Sequence, residues 1–417
     1  MKIPRVKIYM KFKYLLKSFF KNYNNSKLNI ENVIKSNLNH NFIIFTGMCR
    51  TGFLVILEYL KNKYPEKKEI IICSYNLKEM VDIARLKDFK IKLIDIHHKS
   101  GVMNLDAIKD NITNNTSAIL FTNMFNDKNI LFDLKDLCKN KNILLIEDNA
   151  IYYGNYFLDG NKKIYSGSIG DVALLSFGIM KNVSALFGGA IVTSNPEIFK
   201  YTEKKIESYS EFPKFIYIKQ IILFLMLKFF LSKYIYNLFF FYVIKFATLN
   251  NISILLKAIY PSLKFERKSK IPKFYHSKIS KTSVKIIDQI FNDKNNFEAE
   301  ELRKRNNGIY SDLLAKNKNI QLINITDANF QNFLDFPILV NNKVDLVNYM
   351  LKRGLETRVY FYPNCEDIID HNNNKNSNYF EENLICLPSH SEINENKIKD
   401  YCKKINNFYQ KNNEPNN

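Results

Sequence analysis

From residue 42 the chain alternates short apolar runs with amphipathic or polar stretches. Runs of four to six apolar residues stand at 42–45 (FIIF), 69–73, 91–96, 117–121, 142–146, 172–177 and 190–193. Between the first of them lie helical patterns, Phe53–Lys63, Leu77–Leu86 and Leu105–Ile112. Short strands separated by helices predict βαβ units and a mostly parallel sheet of seven strands, buried on both faces. From about residue 273 the rhythm changes. It predicts a long helix over roughly 284–315, strands near 319–323 and 333–340, a helix near 344–353, a strand near 356–361 and a terminal helix over 393–410. The Asn-rich stretch 371–378 reads as a loop and the last residues as a frayed tail. The expected fold is therefore α/β, a large sheet domain flanked by helices with a smaller C-terminal α+β domain. Four segments follow: a basic amphipathic segment over 1–40, the large domain over 41–211, an apolar basic insertion over 212–272 and the small domain over 273–417.

Charge alters the picture in two places. The 417 residues carry 61 Lys and Arg against 41 Asp and Glu, a net +20. Residues 1–30 hold eight of the cations and no acid, and residues 212–281 hold thirteen with only Glu266. The rest of the chain carries 40 of each sign and is neutral. Both basic segments are also rich in Phe, Tyr, Ile and Leu. A nucleic-acid groove needs cations but rarely long aliphatic runs, so nucleic acid is not the expected partner. An anionic membrane surface accepts both charges and apolar side chains. Buried helices with snorkelling lysines, or a dimer contact, remain the alternatives. The longest uncharged run in the insertion, Tyr234–Ile244, is eleven residues, too short to span a bilayer. Lysines interrupt every apolar run of residues 1–22, which argues against a cleaved signal peptide.

Candidate chemistry is sparse. The six cysteines form no CxxC pair, and His97–His98 would point to opposite faces of a strand, so neither a disulfide framework nor a metal centre is expected. Seven of only 12 glycines fall between Gly154 and Gly189. There the backbone must turn tightly or approach something closely. Just before and within this stretch lie three fragments. LLIEDNAIYYG ends a strand in Glu147–Asp148, at the sheet edge where open α/β folds bind ligands. Asp148 suits a cationic ring nitrogen or a metal, and equally a helix cap. A second strand carries Ser176 near its end, and Lys181 follows among small and apolar neighbours. That setting favours a neutral amine and a Schiff base. The turn Arg50-Thr51-Gly52 precedes an apolar helix whose first N–H groups could receive a phosphate.

Together these fragments resemble the DegT family of pyridoxal-phosphate sugar aminotransferases, of the aspartate-aminotransferase fold type. The likeness rests on Arg50-Thr51-Gly52, Ile146-Glu147-Asp148-Asn149-Ala150, Gly170-Asp171, Ser176-Phe177, Lys181-Asn182 and Gly188-Gly189, and on GLETRVYFYP and ICLPSHSEINENKI near the C-terminus. It implies pyridoxal 5′-phosphate as cofactor, Lys181 as its covalent anchor and catalytic base, and Asp148 against the pyridine nitrogen. It places Arg50, Ser176 and the Thr51–Gly52 amides around the phosphate and Asn123 near the ring. The stacking position falls on Leu77 by alignment, with the aromatic Tyr75 two residues earlier. Where relatives often carry Gln, this chain has Ile151, and the Asn that relatives supply from the partner subunit aligns with His276 or Ser277. The implied activity is amination of a keto-sugar, a nucleotide-linked 4-keto-6-deoxyhexose or a 3-keto sugar, with glutamate as donor, in a homodimer with a shared site. The product would feed surface polysaccharide such as lipopolysaccharide. Alternatives are a sugar dehydratase, in which relatives replace the lysine by His, and a binding or scaffold relative without catalysis. The expected location is the cytoplasm, peripheral on the inner membrane face through 1–22 and 212–260.

Overall fold

A computed structural model describes residues 1–125, 128–151, 153–260, 265–323, 334–369 and 374–413. The seven apolar runs form one sheet: β1 (Phe42–Thr46), β2 (Glu69–Cys73), β3 (Lys90–Ile94), β4 (Thr116–Thr122), β5 (Leu144–Asp148) and, after a hairpin of β6 (Tyr156–Asp159) and β7 (Lys162–Tyr165), β8 (Val172–Ser176) and β9 (Gly189–Thr193). Their spatial order is β1-β9-β8-β5-β4-β2-β3, and β9 alone runs against its neighbours. Alternation along each strand splits the core. Ile70, Ile72, Ala118, Leu120 and Ile191 meet the helices Cys49–Lys63, Lys78–Leu86 and Pro196–Glu207 on one face. On the other face Ile71, Ile119 and Phe121 meet Leu131 and Leu134 of the helix Lys128–Lys141, while Ala190 and Val192 meet Ile30 and Ile34 of the helix Tyr23–Leu38. Burial on both faces is why these strands read as unbroken apolar runs.

The small domain is an antiparallel sheet of β10 (Ile320–Leu322), β11 (Asp335–Val340) and β12 (Leu384–Pro388), packed on the helices Lys343–Lys352 and Glu395–Asn413. Three expectations change here. The long helix of 284–315 is two, Lys281–Phe291 and Lys294–Leu314, because Asp293 leaves helical geometry and caps the second through the Asn295 N–H. Residues 356–361 form no strand, and the segment pairs with β12 at the isolated Arg358–Cys386 bridge. Lys375–Asn383 is a helix rather than loop, while 371–373 and the tail 414–417 lie outside the described residues.

The two basic segments are folded onto the rest of the chain. Residues 2–10 run extended along the small domain. Ile8, Tyr9 and Met10 are buried, Arg5 pairs with Glu356 at 3.1 Å, and the Pro4 carbonyl meets His390 Nε2 at 2.8 Å. Only Phe12–Ser18 of that stretch is helical before the helix Tyr23–Leu38. The insertion contributes helices Lys214–Phe230 and Lys233–Leu249, bent by 62° at their junction, and Ser253–Ile259. Among the described residues no single helix is long and apolar enough to cross a membrane, though this bent pair meets the length and composition together. Phe224, Tyr236, Phe241 and Ile244 turn inward to the core.

Candidate active site

The carboxyl ends of β1, β4, β5 and β8 converge on one edge of the sheet, and the functional side chains lie in the turns that leave them. After β5, Asp148 is buried; its Oδ1 accepts the Ala150 N–H at 3.0 Å. After β8 the chain loops back to β9. Phe177 N–H donates to the Gly188 carbonyl at 2.9 Å, Ala185 N–H to the Phe177 carbonyl at 2.9 Å and Lys181 N–H to the Gly178 carbonyl at 3.0 Å. Gly188 has φ +147°, and a side chain there would press on Ile279 Cδ1 at 3.0 Å. The loop is thereby pinned, with Lys181 pointing into a cavity of about 260 Å³.

Electrostatics of the site follow from its burial. Desolvation pulls the Lys181 amine down to about 8, partly countered by the negative charge of Asp148, while Arg358 and Arg50 push it lower. Desolvation likewise raises the Asp148 carboxyl, against the Ala150 N–H and the charge of Lys181. Burial also raises the thiol of Cys49, whose Sγ stands 4.0 Å from Asp148 Oδ1, so that it remains a neutral neighbour. The arrangement can hold an amine that exchanges protons near neutral pH beside a carboxylate that favours a cationic ligand. Asp148→Asn removes the charge that favours the ammonium form, so the Lys181 midpoint is expected to fall below about 8. A pH series of amine modification by a small aldehyde and hydride reads it. A midpoint unchanged or displaced upward would refute the coupling.

Residues 7–210 and 296–406, about three quarters of the chain, match the profile of the DegT/DnrJ/EryC1/StrS aminotransferase family. The chain belongs to this family. GDP-perosamine synthase of Escherichia coli O157:H7 is 25% identical over 134 residues, 32% of this chain and 36% of that protein. The chain spans less than half the length of the curated relatives it matches. Solved structures cover it almost entirely. Helicobacter pylori PseC, an aminotransferase of pseudoaminic acid biosynthesis, has a TM-score of 0.71 at 14% identity, over 99% of this chain and 100% of that one. Escherichia coli GDP-4-keto-6-deoxy-D-mannose-3-dehydratase, with bound hydrated PLP, has a TM-score of 0.71 at 16% identity, over 97% and 99%. At such identities these likenesses establish the fold, the seven-stranded α/β architecture of PLP-dependent aminotransferases.

Within this DegT-family chain, the sequence-predicted residues separate into those at the cavity and those held elsewhere. Lys181, Leu77 and Ile151 line it, and Asp148 and Ser176 flank it. No described residue hydrogen-bonds Ser176 Oγ. Tyr75 is not part of the cavity wall: it is fully buried, its ring edge-on to Tyr362 and Phe380, whereas Leu77 lines the cavity. The Thr51 hydroxyl donates to the Tyr275 carbonyl at 2.7 Å, and the Thr51 and Gly52 N–H groups both turn back to the Met48 carbonyl. Arg50 Nη1 contacts Tyr275 Oη at 3.2 Å and Glu79 at 3.3 Å. Asn123 is buried at the end of β4, donating to Glu147 at 2.9 Å, and its Oδ1 has no donor among the described residues. Ser277 lends its carbonyl to the Gly47 N–H, and His276 packs on Tyr209, both within the same chain.

Four other residues of the wall escaped the sequence reading. Arg358 projects from GLETRVYFYP and bonds Asp335 at 3.1 Å, and His390 comes from the LPSH segment. Both fragments were legible as motifs but not by role. Arg5, packed at 4.2 Å over the Tyr260 ring, and Tyr260 itself come from the two basic segments, which carry no local sign of a site.

Proposed function

We propose that this chain is a PLP-dependent aminotransferase acting on a keto-sugar, with a nucleotide-linked 4-keto-6-deoxyhexose as substrate and glutamate as donor. The observation that carries the reading is Lys181, on the wall of a cavity at the carboxyl edge of the sheet, its amine brought to about 8 by burial and held under the charge of the neighbouring Asp148. The residues present fit pyridoxal 5′-phosphate. Lys181 Nζ would hold its aldehyde carbon, and Asp148 its ring nitrogen. Ser176 Oγ and Arg50 would take the phosphate, since the Thr51 and Gly52 N–H groups are already engaged. Leu77 would flank the ring, and Ile151 stands where relatives often carry glutamine. When bound, the cofactor supplies an electron sink for the carbon that loses and regains a proton.

The chain's own groups supply the rest. A Lys181 amine titrating near 8 has a substantial neutral fraction at physiological pH and can both accept and return a proton. A cation facing Asp148 favours its anionic form, against the desolvation that raises the carboxyl. Arg358 and Arg5 set positive charge along the wall where an anionic donor or sugar carrier would lie. Support for a sugar substrate comes from relatives such as GDP-perosamine synthase. The subunits would pair as a homodimer.

Borohydride treatment of the PLP-loaded protein, followed by proteolysis and mass analysis, should place the pyridoxyl group on the peptide containing Lys181. Glutamate labelled with ¹⁵N should then transfer label to the sugar. A nitrogen-free product would mean a dehydratase, and no fixation at Lys181 would mean a non-catalytic relative.

A further inference from the structure

The insertion exposes an apolar surface of unusual order. On the helix Lys214–Phe230 the exposed apolar side chains are Phe215, Ile218, Ile222, Leu223, Leu225, Met226 and Phe229. At 100° per residue all of these but Leu223 fall within one stripe about 100° wide, opposite the buried Phe224. The next helix continues the pattern with Tyr234, Leu238, Tyr242 and Phe246 exposed at intervals of four, while Tyr236, Phe241 and Ile244 face the core. The stripes meet at the 62° bend, where Phe230 and Phe240 stack at 5.1 Å. The N-terminal helix lies against the same layer, since Leu15 and Phe224 share one core and Lys228 Nζ donates to the Ile8 carbonyl at 2.7 Å. It ends in Phe19 and Phe20, exposed to 72% and 91%.

The charges around these stripes decide the occupant. Residues 212–260 hold six lysines and no acid. Lys214 and Lys219 border the first stripe, and among the described residues no carboxylate pairs with Lys214, Lys219, Lys233, Lys245 or Lys257. A second copy meeting this face across a two-fold axis would set the same unpaired lysines against themselves. A nucleic-acid strand would leave the aliphatic stripe in water. A bilayer with anionic headgroups satisfies both, taking the apolar side chains below the phosphates and the lysines at them.

We infer that the helices of 214–259, with the helix Phe12–Ser18, form a docking surface that seats the protein in the interface of an anionic membrane. The helices lie in the plane of the lipid rather than crossing it. This inference is independent of the catalytic reading.

The test is co-flotation of the full chain with vesicles of phosphatidylcholine alone or with about one-third phosphatidylglycerol, at low and high salt. Binding is expected on the anionic vesicles and should weaken with salt. The triple variant Ile218→Ser/Ile222→Ser/Phe229→Ser removes exposed side chains only, and should bind at least about tenfold more weakly. The charge variant Lys214→Glu/Lys219→Glu should lose a similar factor. Circular dichroism and the Lys181 labelling midpoint report whether each variant remains folded. Failure of the intact protein to float, or binding unchanged in folded variants, overturns the proposal. So does loss of self-association in the triple variant without vesicle binding by the parent, which would assign the face to a second copy.

Discussion

Lys181→Ala is expected to lower turnover by about 10⁴-fold or more, with the fold unchanged. The backbone of residue 181 is held by its bond to Gly178 and by the neighbouring Phe177–Gly188 and Phe177–Ala185 bonds, none of which uses the side chain. The other amine on the wall, Lys7, is engaged with Ser391 at 2.9 Å and Glu392 at 3.2 Å. Arg5 and Arg358 are paired with Glu356 and Asp335, and a guanidinium cannot deprotonate. For the same reason Lys181→Arg should be as inactive as alanine although it keeps the charge. That comparison separates a proton-exchanging amine from an electrostatic role. Rates with glutamate and the preferred keto-sugar, measured under single-turnover conditions, are the readout. Either variant within tenfold of the parent would remove Lys181 from the reaction.

Glu147→Ala should destabilise the protein by roughly 3–5 kcal/mol, most of what a domain has to spare. Glu147 is fully buried and accepts four hydrogen bonds, from Asn123 Nδ2 and from the N–H groups of Gly167, Ile169 and Gly170, at 2.6–2.9 Å. Truncation strands all four donors in a site that water does not reach. Glu147→Gln keeps the volume but turns one acceptor into a donor, and should cost less than alanine yet still more than about 1 kcal/mol. Urea unfolding with an unchanged m-value would measure both. A loss below about 1 kcal/mol for alanine would mean that the carboxylate is dispensable.

That carboxylate also explains why the sequence was legible in some places and not in others. The seven strands could be read because burial on both faces leaves continuous apolar runs. The glycine cluster was legible as backbone under constraint, but not what constrains it. Part of it wraps Glu147, where a Cβ on Gly170 would stand 3.1 Å from Glu147 Cγ, and part lets the 177–188 loop close against Ile279. Lys181 and Asp148 stood out because each follows a strand end. Tyr75 drew attention because its aromatic ring looked suited to stacking, while the structure buries it against Tyr362 and Phe380 and sets Leu77 on the cavity wall. The break at Asp293 was visible only as a capping residue inside an otherwise helical pattern. Arg5 and Tyr260 had no local signal at all, since what makes them part of the wall is contact with Glu356 and Tyr360, far along the chain.

The extended segment at residues 2–10 has a consequence for how the protein is made. Arg5 pairs with a residue 351 positions later, and Pro4 with one 386 positions later. During synthesis these residues must therefore wait, unpaired and partly apolar, until the small domain that carries Glu356 and His390 has followed. The large sheet can assemble in the meantime, since its last strand ends at Thr193. The cavity cannot, because one of its sides precedes the sheet and is fastened only by residues that follow it. Contacts of such sequence separation are the slowest to form, so newly made chains should pass through a stage in which the sheet is complete and the chamber still open.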